Sequence, residues 1–233
     1  MHATLDSATI AIRARDVTLS LGSGDARVDI LKGVDLDIKH GESLAILGAS
    51  GSGKSSLMAV LSGLERASSG TVLVGGVDYG LLDEDALARA RRGQIGIVLQ
   101  AFHLLPTMTA LENVAVPLEL SGHADAFARA REELVAVGLG HRIDHYPSQL
   151  SGGEQQRVAI ARAVAPGPAI IFADEPTGNL DAATGAAVID LLFARQQAAN
   201  ATLIIITHDP SLAERCNRIV EMRDGLVVAE RNA

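Results

Sequence analysis

The chain has 233 residues, with 28 acidic and 20 basic side chains and a formal charge of −8, a balance that argues against a nucleic-acid partner. Hydrophobic residues at 48% and charged residues at 21% exclude a disordered chain. Apolar runs such as Ala169–Ala173 are far too short for a membrane helix, and a single cysteine, Cys216, excludes an internal disulfide and fits a reducing compartment.

At the start, Met1–Ile12 has neither a cationic head nor an apolar run long enough for a leader, so a soluble cytoplasmic protein is expected. Strand-like segments follow at Ile10–Leu21, Ile30–Ile38 and Ser43–Leu47. The second sets Val34, Leu36 and Ile38 against Asp35, Asp37 and Lys39, the alternation of a half-exposed antiparallel strand. After a glycine-rich loop come an apolar helix over about 54–62, a strand at Thr71–Val74, a helix at Glu84–Arg92 and a buried strand at Ile95–Leu99. The stretch 101–166 reads as mostly helical: Thr109 with Glu112 and Ser151 with Glu154 have capping-box spacing, and Asp125–Val137 is a further helix ended by Gly138. The runs at Ala169–Ala173, Thr202–Ile206 and Ile219–Met222, with helical patterns between them, mark strands of a parallel sheet buried on both faces. Asp224-Gly225 reads as a hairpin turn. The expected architecture is an α/β core with an antiparallel β flap at the start and a helical lobe inserted in the middle.

Gly48-Ala49-Ser50-Gly51-Ser52-Gly53-Lys54-Ser55 fits G-x-x-x-x-G-K-[ST] between a strand and a helix. Glycines let backbone N–H groups curl around phosphate oxygens, and the following helix adds its positive end. Lys54 can reach terminal phosphates and the Ser55 hydroxyl can ligate Mg²⁺. Only three lysines occur in the chain, against 17 arginines, so a lysine inside a motif stands out. Asp174-Glu175 follows a buried strand. Alone it reads as a solvated loop start; with a phosphate loop in the chain, Asp174 becomes a holder of Mg²⁺ through water and Glu175 the group that orients or deprotonates the attacking water. His208, in Thr207-His208-Asp209-Pro210, reads alone as a surface residue beside a helix start, but it too follows a core strand.

Leu150-Ser-Gly-Gly-Glu-Gln-Gln-Arg157 is, by itself, a capped helix start with exposed glycines, a second anion-binding device. It also resembles the signature of the ATP-binding-cassette family. Gln100 matches that family's Q-loop, Asp174-Glu175 its Walker B end, Gly178-Asn-Leu-Asp181 its D-loop and His208 its switch histidine, all in family order over about residues 10–230. The resemblance implies a P-loop NTPase (RecA-like) core with an N-terminal antiparallel β subdomain and an inserted α-helical subdomain at about 101–166, all within one ATPase domain spanning 1–233. It implies ATP and Mg²⁺ as cofactors, with Gly48 to Ser56 and Gln100 around the nucleotide, and Lys54, Glu175 and His208 as catalytic groups. Glu175 is then the base and His208 the γ-phosphate sensor, while Ser55 and Gln100 ligate Mg²⁺ directly and Asp174 does so through water. It further implies a head-to-tail homodimer in which Ser151, Gly152, Gly153 and Glu154 face the ATP of the other copy, with Asp181 alongside.

The segments Gln100–Val114 and Ala173–Asp181 resemble, more finely, the ATPases of mechanotransmission transporters: the lipoprotein-releasing LolD type, the macrolide-exporter MacB type and the YbbA type. That group implies an integral membrane permease with a large extracytoplasmic domain, with a periplasmic partner as a further candidate, and a seat on the cytoplasmic face of the inner membrane. It also implies a hydrophobic or membrane-derived substrate. Phe102–Pro106 is then the groove for the permease, where simple core packing is the plainer reading. These ATPases usually stack adenine on an aromatic residue; Leu21 stands at the matching position, which weakens stacking and favours the YbbA type. An importer ATPase is the alternative within transport. Soluble family members with a long inserted coiled coil, or with two cassettes in one chain, fit neither the length nor the charge.

Overall fold

The computed structural model describes residues 10–22 and 27–233; the expectation that Met1–Ile12 carries no leader falls mostly outside them. Strands β1 (Ile10–Leu21), β2 (Val28–Lys39) and β3 (Ser43–Leu47) come first, then α1 (Lys54–Leu61), β4 (Ser69–Val74), β5 (Val77–Asp78) and α2 (Glu84–Arg91). The middle holds β6 (Ile95–Val98), α3 (Ala110–Leu120), α4 (Ala126–Ala136), α5 (Gly152–Val164), β7 (Ile170–Asp174) and α6 (Ala182–Ala199). The last elements are β8 (Thr202–Thr207), α7 (Pro210–Ala213), β9 (Arg218–Arg223) and β10 (Leu226–Asn232). Each expected element is present, its ends shifted by at most two residues. Arg92–Ala201 forms one compact unit, and the chain up to Arg91 and from Thr202 forms the other.

In the unit built from both ends of the chain, one sheet is antiparallel in the order β2-β1-β4-β5. Val34, Leu36 and Ile38 are buried while Asp35 and Lys39 are exposed, as the alternation demands. Burial raises the Asp37 carboxyl, but the Arg15 and Arg13 guanidiniums at 2.6 and 3.1 Å outweigh that and hold it below its ordinary value. The same unit contains β3 in parallel register with both β8 and β9, Ile46 lying opposite Ile206 and Val220. Every residue of β8 is buried, which is why its sequence is a continuous apolar run with no alternation. Each such side chain contributes roughly 1.5–3 kcal/mol on burial. The β9–β10 hairpin turns at Asp224 (φ 49) and Gly225 (φ 79), the pair of positive φ values that a two-residue primed turn needs.

In the other unit β6 and β7 run parallel, Val98 opposite Ala173. Helices α3, α4 and α5 bury Val114, Leu118, Ala130, Leu134 and Val158 in one shared core. Both expected capping boxes form, Thr109 with Glu112 at α3 and Ser151 with Glu154 at α5. The sequence sets no clear boundaries for the long helix α6, because its alanine-rich stretch carries little contrast between faces. Its buried residues Gly185, Val188, Ile189, Leu192 and Gln196 nonetheless fall at helical spacing. Among the described residues no helix is long and apolar enough to cross a membrane.

Cys216 is buried, and burial pushes its thiol up to about 12. Its thiolate fraction at pH 8 is therefore about a thousandfold below that of a thiol at the reference value of 9.0. Iodoacetamide is expected to leave Cys216 unlabelled in the native protein and to label it fully in urea, as mass spectrometry of the intact chain would read.

Candidate nucleotide site

Strand β3 delivers the chain at Leu47 into the loop Gly48–Gly53. A Cβ at Gly48 would fall inside contact distance of the Met222 carbonyl and 2.7 Å from Ser52 Oγ, so this position admits only glycine. Gly51 (φ 80) and Gly53 (φ 98) take the left-handed conformation that lets the loop close. Gly53 precedes α1 and no side chain caps that helix, so the positive end of its dipole faces the loop. Lys54 is buried, and its Nζ donates to the carbonyls of Gly48 and Ala49 at 2.8 Å each. The loop is thus wrapped around its own ammonium group. Ser52 Oγ is buried without a hydrogen-bond partner.

The hairpin turn braces this loop from outside. Gly225 N–H donates to the Ser52 carbonyl at 3.0 Å, and its own carbonyl accepts from Lys32 N–H at 3.0 Å. A cleft of about 350 Å³ lies alongside, lined by Gly48–Ser52 and by Met222, Arg223 and Asp224. Thr207 on β8 pairs with Leu47 on β3, so His208 and the loop leave neighbouring parallel strands at the same end, where open α/β sheets bind ligands. His208 is exposed, and the next residue fixes the backbone there. Asp209 caps α7, accepting from Ser211 Oγ at 2.7 Å and Ser211 N–H at 2.8 Å, and the Ser211 hydroxyl is the main cause of its lowered pKa. Ser55 and Ser56 lie in the first turn of α1.

Leu21, where the resemblance leads one to expect an adenine-stacking aromatic, ends β1 opposite Val28 and is 47% exposed. Replacing it by Tyr is expected to tighten ATP binding about fivefold, the equivalent of ~1 kcal/mol for one aromatic stack. Calorimetric titration of wild type and Leu21→Tyr with ATP measures this, and equal affinities would remove Leu21 from the base site.

In the Arg92–Ala201 unit, the pairing of Val98 with Ala173 brings two further loops out at one end: the Gln100 loop after β6 and Asp174-Glu175 at the end of β7. Glu175 has φ 45, left-handed backbone that costs a non-glycine residue on the order of 1–3 kcal/mol. Neighbouring bonds hold it there: Gly178 N–H donates to the Glu175 carbonyl at 3.0 Å, and Gln156 Nε2 on α5 donates to the Pro176 carbonyl at 2.9 Å. Asn179 Nδ2 donates to the Gln100 carbonyl at 2.9 Å.

The glycine-bearing start of α5 lies in the same unit. Ser151, itself exposed, caps it, its Oγ accepting from Glu154 N–H at 3.3 Å. Glu154 is turned to structural use, its carboxylate accepting from Ser151 N–H at 2.8 Å and from Arg142 Nε at 3.1 Å. The Ser151 N–H is the main cause of its lowered pKa. Gly153 has no room for a Cβ because of Thr184 Cγ2, and Gly152 lies against Leu180. Asp181 caps α6, accepting from Ala183 and Thr184 N–H at 3.1 Å each. The residues picked from three separate motifs, Gln100, Ser151–Gly153 and Gly178–Asp181, therefore gather in one unit.

Several residues of this surrounding were not picked from the sequence. Asn113 is fully buried and holds the loop before α3, accepting from Leu105 N–H at 2.8 Å, with Nδ2 within 3.1 Å of the carbonyls of Leu105, Met108 and Thr109. An asparagine on the apolar face of a helix was the signal for it. Arg142 carries no signal that motif spacing could use, and Asp224-Gly225 marks a turn in the sequence without marking its seat on Ser52.

Comparison with known proteins agrees with this geometry. Residues 31–178 match the family described as ABC transporter. The lipoprotein-releasing system ATP-binding protein LolD of Geobacter metallireducens is 49% identical over 221 residues, 94% of this chain and 98% of that protein. The ABC transporter ATP-binding protein YbbA of Escherichia coli K12 is also 49% identical, over 213 residues, 91% of this chain and 93% of YbbA. Identity by itself does not divide these two types. The macrolide export ATP-binding/permease protein MacB of Escherichia coli K12 is 47% identical over 222 residues, 94% of this chain but only 34% of MacB. Among solved structures, the dimeric ATP-binding cassette MJ0796 in a post-hydrolysis state with ADP and Pi matches at a TM-score of 0.88 and 39% identity, over 95% of this chain and 98% of that one. The P-loop NTPase fold and the near-complete coverage together settle the assignment: the chain belongs to the ABC transporter family and is one of its ATP-hydrolysing cassettes.

Proposed function

We propose that this ATPase is the motor subunit of a mechanotransmission-type membrane complex. Two copies close head-to-tail on ATP and move an integral membrane permease with a large extracytoplasmic domain, at the cytoplasmic face of the inner membrane. The substrate is hydrophobic or membrane-derived, with a periplasmic partner as a further candidate. The reading is carried by the near-full-length likeness to the LolD and YbbA proteins. Leu21 in place of an aromatic inclines it to the YbbA type. In this reading the chain is a single cassette spanning 1–233, and the helical part at about 101–166 is its inserted subdomain, a view supported by the common core of α3, α4 and α5.

The residues fit a Mg²⁺–nucleotide. The left-handed glycines, the uncapped start of α1 and the unpartnered Ser52 Oγ form a cradle for phosphate oxygens. Hydroxyl, amide and carboxylate oxygens are hard donors of the kind Mg²⁺ takes, and Ser55, Gln100 and Asp174 would hold it, Asp174 through water. The chemistry a metal ion would supply there is neutralisation of phosphate charge.

Catalysis here is positioning and electrostatics more than covalent chemistry. Lys54 exchanges its two loop carbonyls for phosphate oxygens, and N–H groups from Gly48 to Ser56 fix the rest of the triphosphate. Glu175 accepts or orients the proton of the attacking water, and His208 holds the γ-phosphate. The Ser151 hydroxyl and the N–H groups of Gly152 and Gly153 reach the γ-phosphate bound by the other copy, with Glu154 keeping that helix start in shape and Asp181 beside it.

The test is purification of tagged full-length Glu175→Gln protein from detergent-solubilised native membranes in Mg-ATP, with partners identified by mass spectrometry. A permease with a large extracytoplasmic domain is expected. A compact importer permease would move the assignment to import, and purely soluble or ribosomal partners would overturn the transport role.

A further inference from the structure

Phe102 (φ 61) and His103 (φ 47) are consecutive non-glycine residues in the left-handed region, directly after the Gln100 loop. Local bonds account for part of this path, Phe102 N–H donating to Leu99 O at 3.1 Å and His103 N–H to Ala101 O at 2.6 Å. The two carbonyls that the turn presents are taken by a residue some sixty positions away. Arg162, near the C-terminal end of α5, donates from one guanidinium nitrogen to Phe102 O at 2.8 Å and from another to His103 O at 2.7 Å. A planar fork suits two neighbouring carbonyls, where the single ammonium of a lysine does not.

The same helix meets Phe102 at its other end. A Cβ on Gly152 would lie 3.8 Å from Phe102 Cζ, in ordinary contact with the ring. Gln100 is bracketed from the opposite side: Asn179 holds its carbonyl at 2.9 Å, and a Cβ on Gly178 would come within 2.5 Å of its Nε2. The segment 100–103 thus spans from Asn179 to Arg162, and α5 carries both the Arg162 fork and the signature glycines.

We propose that Arg162 is a positioning residue for ATP hydrolysis, its fork on the Phe102 and His103 carbonyls fixing the segment that carries Gln100 against helix α5. The proposal rests on the reading of Gln100 as a ligand of the nucleotide's metal. Arg162 itself touches no substrate. Its removal lets the segment relax away from the left-handed turn and takes Gln100 out of register, while leaving the phosphate loop intact.

The experiment compares the purified full chain with Arg162→Met, Arg162→Lys and Gln100→Ala, measuring kcat and KM for Mg-ATP and the melting temperature of each. Arg162→Met is expected to lower kcat about tenfold with KM within about twofold, Gln100→Ala to show the same split, and Arg162→Lys to recover part of the loss. If Gln100→Ala lowers kcat and Arg162→Met does not, the proposal falls and the reading of Gln100 stands. If neither lowers it, both fall. If Arg162→Met lowers kcat while Gln100→Ala does not, Arg162 acts by another route and the proposal is overturned, as it is by a raised KM at unchanged kcat. Should Arg162→Met fail to fold, Arg162→Lys decides: a threefold or greater loss of kcat at unchanged KM and melting temperature supports the proposal, and an unchanged kcat overturns it.

Discussion

Lys54→Ala is expected to abolish measurable ATP hydrolysis, kcat/KM falling by at least about a thousandfold, while the chain stays folded. Lys54 is 7% exposed, and its ammonium is held by two carbonyls of the loop that surrounds it. Removing a single preorganised donor from a developing charge lowers rates by about 10²–10³-fold, and Lys54 supplies a full charge as well as hydrogen bonds. The substitution also leaves the Gly48 and Ala49 carbonyls without their donor, at a cost of about 1–3 kcal/mol, so a modest fall in melting temperature accompanies the loss. Phosphate release under saturating Mg-ATP measures the first effect and a thermal melt the second. Full activity in this variant would place catalysis away from the loop at 48–55.

Glu175→Gln is expected to lower kcat by about 10²–10⁴-fold, the range for loss of a general base, with ATP affinity retained. Glutamine keeps the size of the side chain and adopts the φ of 45 no less readily than glutamate, so the turn closed by Gly178 and Gln156 survives. What is lost is a carboxylate able to accept a proton. Because nucleotide is then held without being cleaved, the variant should accumulate as a dimer in Mg-ATP, which light scattering after gel filtration would detect. The combination of slow turnover with retained binding separates a base from a merely structural carboxylate, whose loss would weaken both. A variant with wild-type turnover would assign the proton step to another group.

What could be read without coordinates was chemistry confined to a few neighbouring residues. The phosphate loop is legible because its glycines, lysine and serine act through their own backbone. The two capping boxes span three residues each, and Asp224-Gly225 forms its turn from the φ values those residue types tolerate. The buried parallel strands are legible because two-sided burial forces an unbroken apolar run. Family order supplied the rest: Gln100, Asp181 and His208 stand out through their place between other motifs, not through any strong local signal.

What only the tertiary structure decided lies in contacts between distant segments. The seat of the Gly225 turn on Ser52, the Arg162 fork on Phe102 and His103, and the tie of Asn179 to Gln100 each join residues separated by tens of positions or more. The left-handed backbone of Phe102, His103 and Glu175 belongs to the same class, since no residue type there asks for it and the surrounding bonds impose it. Glu154 shows the difference on one side chain: its place three residues after Ser151 was readable, but its second bond, to Arg142, was not. The sequence by itself determined the family, its ATPase activity and the local devices proposed to hold phosphate, because those depend on residue type and short spacing. The folded chain alone decided which side chains keep those devices in place, because a backbone carbonyl carries no mark in the sequence of the distant donor that will reach it.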